Sequence, residues 1–452
     1  MLQVITGVYK LLISFVVVIL TGSLGYSQDG FFLPANLESE KIPFQLVNNL
    51  VVIPVEINGT SLSFILDTGV RTSILFGIEQ NDSIEMKNIS PIKIKGLGEG
   101  EAVEALKSEG NTFRVGDAVD YDHTLYIVFD ASLNFSPRMG VPIHGILGYE
   151  FFRQFVVETN YSSKRLSFYR PKDYKYRKCK NCADFDLTFY NQKPHINIEA
   201  KALGNSFPLT VLVDSGSSDA LWIFDSGQCI SEEPQNYFVD FLGMGLSGHV
   251  YGKRTRIDQL SLGQYTLDGV NTATPDEEDI DNAKMFVDRN GSLGGNILKR
   301  FKVIMDYPNK RMTLKKSGMF GEPFYYNMSG LTLEQGENEI VQGNKKIINN
   351  PLSYTESDQN AFAFGIIKTT EFSWEWAPKL LVADVRPGSP ADAVGVFEGD
   401  EILMINGKPS HHYKLFELTD LFSSREGRKI NLEIIRNGQK MKKAFVLKKL
   451  LE

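Results

Sequence analysis

Histidine and cysteine are both scarce: the 452 residues hold six His and three Cys. His123, His144, His195, His249, His411 and His412 are scattered, and no HExxH or paired CxxC supplies the ligands that a zinc ion takes. No metal or cofactor is expected. Three Cys cannot build a disulfide framework. Cys179 and Cys182 form a single CxxC, and the stretch from Phe185 to Tyr190 reads as a strand where a thioredoxin-like site needs a helix. The pair is read as a possible disulfide in a connecting segment.

Positive charge is also limited. Lys and Arg number 48 against 55 Asp and Glu, a net charge of −7, and the basic runs are short, which argues against nucleic-acid binding. The apolar run Leu11 to Leu20 falls short of the ~20 residues of a spanning helix. Lys10 precedes it and Thr21, Gly22 and Ser23 follow, the layout of a secretory signal over residues 1–27. The mature chain is therefore expected outside the cytoplasm, periplasmic or extracellular, with no stable membrane span. The length predicts several packed units, and peptides or small molecules are the expected partners.

What the chain does have is a long internal repeat. Val51 to Ile57, the turn Asn58-Gly59 and Ser61 to Leu66 read as a hairpin that ends in Asp67-Thr68-Gly69. His195 to Lys201, a turn at Gly204 and Asn205, and Phe207 to Val213 repeat that layout and end in Asp214-Ser215-Gly216, 147 residues on. Gly-rich hairpins follow at the same offset: Gly96, Leu97 and Gly98, then Gly243, Met244 and Gly245. The densest match, Gly148 to Phe168 with Gly294 to Leu314, runs without a gap and pairs Tyr161 with Tyr307. A period this long means a duplicated domain, not a solenoid. Helical patterning is confined to stretches such as Tyr149 to Gln154 and Asn296 to Arg300, so each copy is predicted to be a small β lobe.

Duplication about a pseudo-twofold axis brings Asp67 and Asp214 together. Two adjoining carboxylates cannot both ionise cheaply, so they share a proton; one serves as base toward water while the other polarises a carbonyl. Gly69 and Gly216 allow the close turns, and the Thr68 and Ser215 hydroxyls are placed to bond across the lobe interface. Gly243 to Gly248 also spells GxGxxG, but without strand–turn–helix context it reads as a hairpin tip. The acidic run Asp276 to Asp281 reads as a solvated loop.

These residues resemble the aspartic proteases, pepsin-like and retroviral. The likeness runs over residues 40–316: an apolar strand, Asp-Thr/Ser-Gly, a Gly-rich flap, then Ile146-Leu147-Gly148 or Ser292-Leu293-Gly294. Lobe size resembles the retropepsin-like bacterial type with both lobes in one chain. The resemblance implies an aspartic endopeptidase with Asp67 and Asp214 as its dyad, flaps at Gly96–Gly98 and Gly243–Gly245, and peptide or unfolded protein as substrate. Val70 and Arg71 depart from the family, which more often has a small or hydroxyl residue after the triplet, and no flap Tyr of the pepsin kind is evident.

Beyond Lys315 the pattern changes. Leu381 to Val385, Gly388-Ser389-Pro390-Ala391, Gly399-Asp400 and Asn406-Gly407 resemble a PDZ domain of the bacterial protease-associated kind over residues 324–452. The resemblance implies a groove for extended peptides or protein C-termini. Gly330 and Leu331 are its favoured carboxylate loop and Ala363 to Ile366 the alternative; Tyr413 to Phe422 is the flanking helix. The expected architecture is mainly β: a signal at 1–27, lobes at 40–171 and 186–316, a linker at 172–185, and a PDZ-like, partly open barrel with short helices at 324–452.

Overall fold

The computed structural model describes residues 30–77, 84–97, 100–130, 133–224, 236–280, 288–351 and 366–451, with backbone alone over 342–351 and 366–372. The segment read as a signal, Gly98, Cys229, Asp281 and residues 363–365 of the alternative carboxylate loop lie outside these.

Two eight-stranded sheets are built in the same order. The first runs Gln45–Val47, Leu50–Ile57, Thr60–Leu66, Gly145–Leu147, Ser73–Leu75, Ala118–Ile127, Val103–Val115, Ile89–Ile94. The second runs Thr188–Tyr190, Lys193–Ala202, Asn205–Val213, Gly291–Leu293, Leu221–Ile223, Tyr265–Pro275, Gly248–Leu262, Phe238–Gly245. Asn58 and Gly59 both take positive φ, as the two-residue turn requires. In the second copy the turn falls one residue earlier than the sequence suggests, on Leu203 and Gly204, because Ala202 pairs with Asn205.

A six-stranded sheet joins the copies, ordered Ser39–Pro43, Arg165–Tyr169, Val156–Asn160, Phe301–Asp306, Arg311–Lys316, Cys182–Asp186. Its central pair sets Val156 opposite Asp306 and Asn160 opposite Lys302. This explains why the repeat is densest here: each copy packs against the other and so meets the same surroundings. Cys182–Asp186, at the end of the stretch read as a linker, is an edge strand of this sheet, and Cys179 and Cys182 are joined as a disulfide just ahead of it. Phe31 and Leu33 are buried in the first lobe's core, with Phe32 bridged to Val119. The helices after each Gly are single turns, Tyr149–Phe152 and Gly295–Leu298.

The C-terminal unit has its own apolar core, including Leu331, Val382, Ile402, Leu418 and Ile434. Its sheet runs Leu331–Pro351, Ile366–Val385, Glu401–Ile405, Lys429–Arg436, Gln439–Val446, with Lys408–Pro409 beside the third strand. The separation between Leu331 and Leu381 is too long for a usual PDZ connection, and Leu331–Pro351 and Ile366–Val385 pair antiparallel as one long hairpin. Ser389 caps the short helix Pro390–Ala393 by accepting from Asp392 N. Asp400 is 1% exposed and takes both Arg436 Nε and Nη2 at 2.6 Å. The helix Leu415–Phe422 buries Leu415, Leu418 and Phe422. Among the described residues no helix is long and apolar enough to cross a membrane.

Candidate active site

Each Asp triplet follows a strand whose last residues are buried: Phe64 to Leu66 in one lobe, Val211 to Val213 in the other. Each is fixed by the strand running parallel beside it, since Asp67 N donates to Leu147 O and Asp214 N to Leu293 O. The hydroxyls then lock the lobes reciprocally. Thr68 Oγ1 donates to Val213 O at 2.6 Å and accepts from Ser215 N at 2.9 Å. Ser215 Oγ donates to Leu66 O at 2.8 Å and accepts from Thr68 N at 3.0 Å. Four buried groups are thus satisfied across the seam.

The carboxyl groups of Asp67 and Asp214 lie within hydrogen-bonding reach of each other. Gly69 N donates to Asp67 Oδ1 at 2.6 Å, and Gly216 N to Asp214 Oδ1 at 3.1 Å. Neither glycine is needed for a left-handed backbone. A Cβ on Gly216 would sit 2.2 Å from Asp67 Oδ2, and one on Gly69 3.0 Å from Asp214 Oδ1; glycine there makes room for the opposing carboxylate. Burial, and then the Asp214 charge, push the Asp67 carboxyl up to about 7. The pair therefore holds one proton between its two carboxyl groups.

The flap tips meet over this floor. Ser247 N donates to Leu97 O at 2.9 Å, Gly96 N to Ser247 Oγ at 3.1 Å and Gly100 N to Ser247 O at 2.6 Å. A Cβ on Gly245 would lie 2.1 Å from Leu97 O, so the two tips interlock because the second is bare. Met244 and Leu246 close the roof of a cavity of about 690 Å³ whose floor is Asp67 and Asp214.

The same cavity reaches the C-terminal unit, where Leu331, Leu333, Leu415 and Thr419 line it. The groove between the edge strand and the helix Leu415–Phe422 therefore opens toward the dyad. The segment around Ser136–Met139 of the first lobe stands beside it, with Arg138 Nε 3.6 Å from Glu334 and Gly140 against Leu415. Gly330 and Leu331 do form the loop at its end, but their amides are engaged. Asn327 Oδ1 accepts from Ser329 N and Gly330 N, Ser329 Oγ accepts from Leu331 N, and Asn327 Nδ2 donates to Leu331 O. The Asn327 amide thus occupies the place that the sequence reading assigns to a peptide carboxylate.

A charged chain ties this loop to the second flap. Arg386 donates to Asn327 O at 3.0 Å and reaches Asp240 at 3.4 Å, and its guanidinium lies over the Phe238 ring. Arg254 takes Asp240 at 2.6 Å and Asp219 at 2.8 Å, and Asp219 accepts from Trp222 Nε1. These residues have no separate motif, and the sequence reading missed them.

It also missed three basic side chains beside the dyad: Lys193, His195 and Arg289 all line the cavity. Two further clusters lie elsewhere. Asp120, His123 and Ser73 form a hydrogen-bonded row, but His123 is 1% and Ser73 0% exposed, so the row is sealed against substrate and serves the core. Contrary to the scattered reading of the histidines, His411 and His412 come together with Glu375, their ligand atoms within 4.8 Å of one another. Glu375 arrives from the long hairpin, beyond the reach of a spacing rule. The acidic run is not wholly solvated either: Asp279 is 3% exposed and accepts from Tyr251 N.

Among solved structures this chain is similar to the aspartic proteinase from Irpex lacteus, with 13% identity over 63% of this chain and 99% of that one, at a TM-score of 0.43. The family model for aspartyl proteases matches residues 53–151, and that for PDZ domains matches residues 381–436. The aspartyl protease model thus covers the first β lobe, a second lobe of the same strand order follows it, and the PDZ model lies in the C-terminal unit.

Proposed function

We propose that this protein is an exported aspartic endopeptidase whose PDZ domain delivers peptide segments to the catalytic cleft. The observation that carries the reading is the pair of carboxyl groups in hydrogen-bonding reach on the floor of a roofed cavity, with a raised Asp67. Ionised Asp214 takes a proton from water as it adds to the peptide carbonyl, and Asp67 donates its proton to the carbonyl oxygen. The tetrahedral diol collapses when Asp214 returns a proton to the leaving nitrogen and Asp67 recovers its own, giving a carboxylic acid and an amine. The interlocked flaps exclude bulk water and must part to admit a chain. The PDZ groove opening into this cavity supports delivery of an extended segment, with the Asn327 amide displaced by whatever anion enters the loop. The apolar run at residues 11–20 and the Cys179–Cys182 disulfide support export.

The test is incubation of the purified mature protein with denatured casein and a peptide library between pH 3 and 7, beside Asp67→Asn and Asp214→Asn. Cleavage by wild type that either substitution abolishes is the expected result. Binding without cleavage by all three would mean a peptide-holding protein on a protease scaffold.

A further inference from the structure

The two lobes match in strand order, yet they face the cleft with different chemistry. The turns Asn48-Asn49 and Asn191-Gln192 occupy the same place, with φ of 47° and 68° in one and 49° and 67° in the other. Val52 pairs with Ile65, and His195 pairs with Leu212, each partner two residues before its catalytic Asp. Leu50 is therefore the counterpart of Lys193, and Val52 that of His195. A third equivalence comes from hydrogen bonds. Ser63 N donates to His144 Nδ1 as Thr210 N donates to Asn290 Oδ1, and His144 N meets Ser63 O as Asn290 N meets Thr210 O. The preceding residues, Ile143 and Arg289, are thus counterparts.

Leu50, Val52 and Ile143 are buried apolar side chains. Their counterparts are all basic, and all three line the cavity with Asp214. Arg289 is held in place: Nε donates to Gly291 O at 3.1 Å, Nη2 to Ser292 Oγ at 2.6 Å, and the guanidinium lies over the Phe224 ring at 4.9 Å. Among the described residues these bonds leave Nη1 for a ligand. Among the described residues the Lys193 ammonium makes no hydrogen bond or ion pair, although both dyad carboxylates act on it. His195 is pushed down to about 4 by burial and by Arg289, so it stays neutral under ordinary conditions. Lys193 and Arg289 supply two positive charges against the one negative charge of a singly protonated dyad.

A half-buried cation is costly unless its charge is balanced, and an excess positive charge beside a peptide-binding floor is completed by an anionic group on the ligand. We infer that Lys193 and Arg289 form a carboxylate subsite on the second-lobe side of the scissile bond, selecting peptides with an acidic group there. The inference rests on the peptide-hydrolase reading. A carboxylate can come from an Asp or Glu side chain or from a chain terminus, and both offer the paired oxygens that Arg and Lys take.

The test uses the full chain in two arms. In the first, wild type cleaves C-terminally amidated peptides in which Glu or Gln is moved through each position around the scissile bond. In the second, the Asp214→Asn protein binds the same peptides, labelled for fluorescence anisotropy, beside a Gln peptide with a free C-terminus. The expected result is a preference for Glu at one position of about tenfold or more in kcat/KM and in affinity, which falls to about one in Lys193→Met and Arg289→Met. Should Arg289→Met fail to fold, Lys193→Met and Lys193→Glu still decide, because that side chain holds nothing in place; Lys193→Glu should favour Lys over Glu at that position. A free-terminus advantage abolished by Lys193→Met would identify the carboxylate as terminal and support the subsite; one that survives arises elsewhere and counts against it. Equal handling of Glu and Gln at every position with no free-terminus advantage, or an equal loss on both peptides in the Lys193 variants, would overturn the inference. Cleavage without acidic preference would remove the subsite and leave the hydrolase, whereas acidic binding without cleavage would do the reverse.

Discussion

Holding a proton on Asp67 near neutral pH has a consequence for folding that can be measured apart from catalysis. Burial first, and then the Asp214 charge, raise its carboxyl from an ordinary 3.8 to about 7. Between those two values the native state keeps a proton that the unfolded chain has released, so stability must fall as pH rises. The contribution is fully present below about 3.8 and is lost by the time pH has passed about 7. At about 1.4 kcal/mol for each tenfold change in proton affinity, the span amounts to about 4 kcal/mol at most; water in the cleft lowers it.

Asp67→Asn replaces the protonated carboxyl with a neutral amide of the same shape and removes the titration. Carboxylates other than its partner Asp214 titrate alike in both proteins and cancel in the difference. Urea unfolding of the full chain, followed on the protease transition at half-unit steps from pH 4 to 8, should show the variant gaining on wild type steadily and levelling off near pH 7. The upper limb of wild-type kcat/KM should fall over the same range, because the general acid is then lost. Parallel stability curves for the two proteins would mean that Asp67 titrates normally, and the shared-proton argument would fail.

Two further outcomes follow from the seam. Ser215→Ala removes a hydroxyl that accepts from Thr68 N and donates to Leu66 O, leaving buried groups unpaired; a loss of about 1–3 kcal/mol is expected, and with Thr68→Val the two losses should fail to add, as a double-mutant cycle by denaturant unfolding would show. Gly216→Ala places a methyl group against Asp67 Oδ2 at 2.2 Å, so peptide cleavage should drop by more than tenfold while circular dichroism remains native; full activity would mean that the carboxylates do not approach as closely as described.

Much of this architecture was legible because duplication makes chance resemblance improbable. Asp67, Asp214 and their hydroxyl neighbours stand out by repeating in order, and the structure brings all of them to one point. The carboxylate loop was less legible. Ser329-Gly330-Leu331 has the right composition, but local spacing does not show that the Asn327 side chain fills it. The connection beyond it looked too long because alternation cannot distinguish a loop from a two-stranded extension. Arg386, Asp240 and Arg254 meet across distant segments, and no pattern in one strand announces such a chain.

The basic subsite was missed for the opposite reason. Matching the copies emphasises what they share, and Lys193 and Arg289 are where they differ. Strand order, turn geometry and the bonds at His144 and Asn290 show that the scaffold around these positions has not moved. An apolar core position in one copy that becomes a cation in the other therefore reflects a change in what the position faces, not a change of fold. In a duplicated enzyme the dyad must stay symmetric, because each carboxylate perturbs the other. A peptide has direction, and its flanking residues differ on either side of the bond to be cut. Selection between peptides is then built where the repeat breaks, close to the point where it is best preserved.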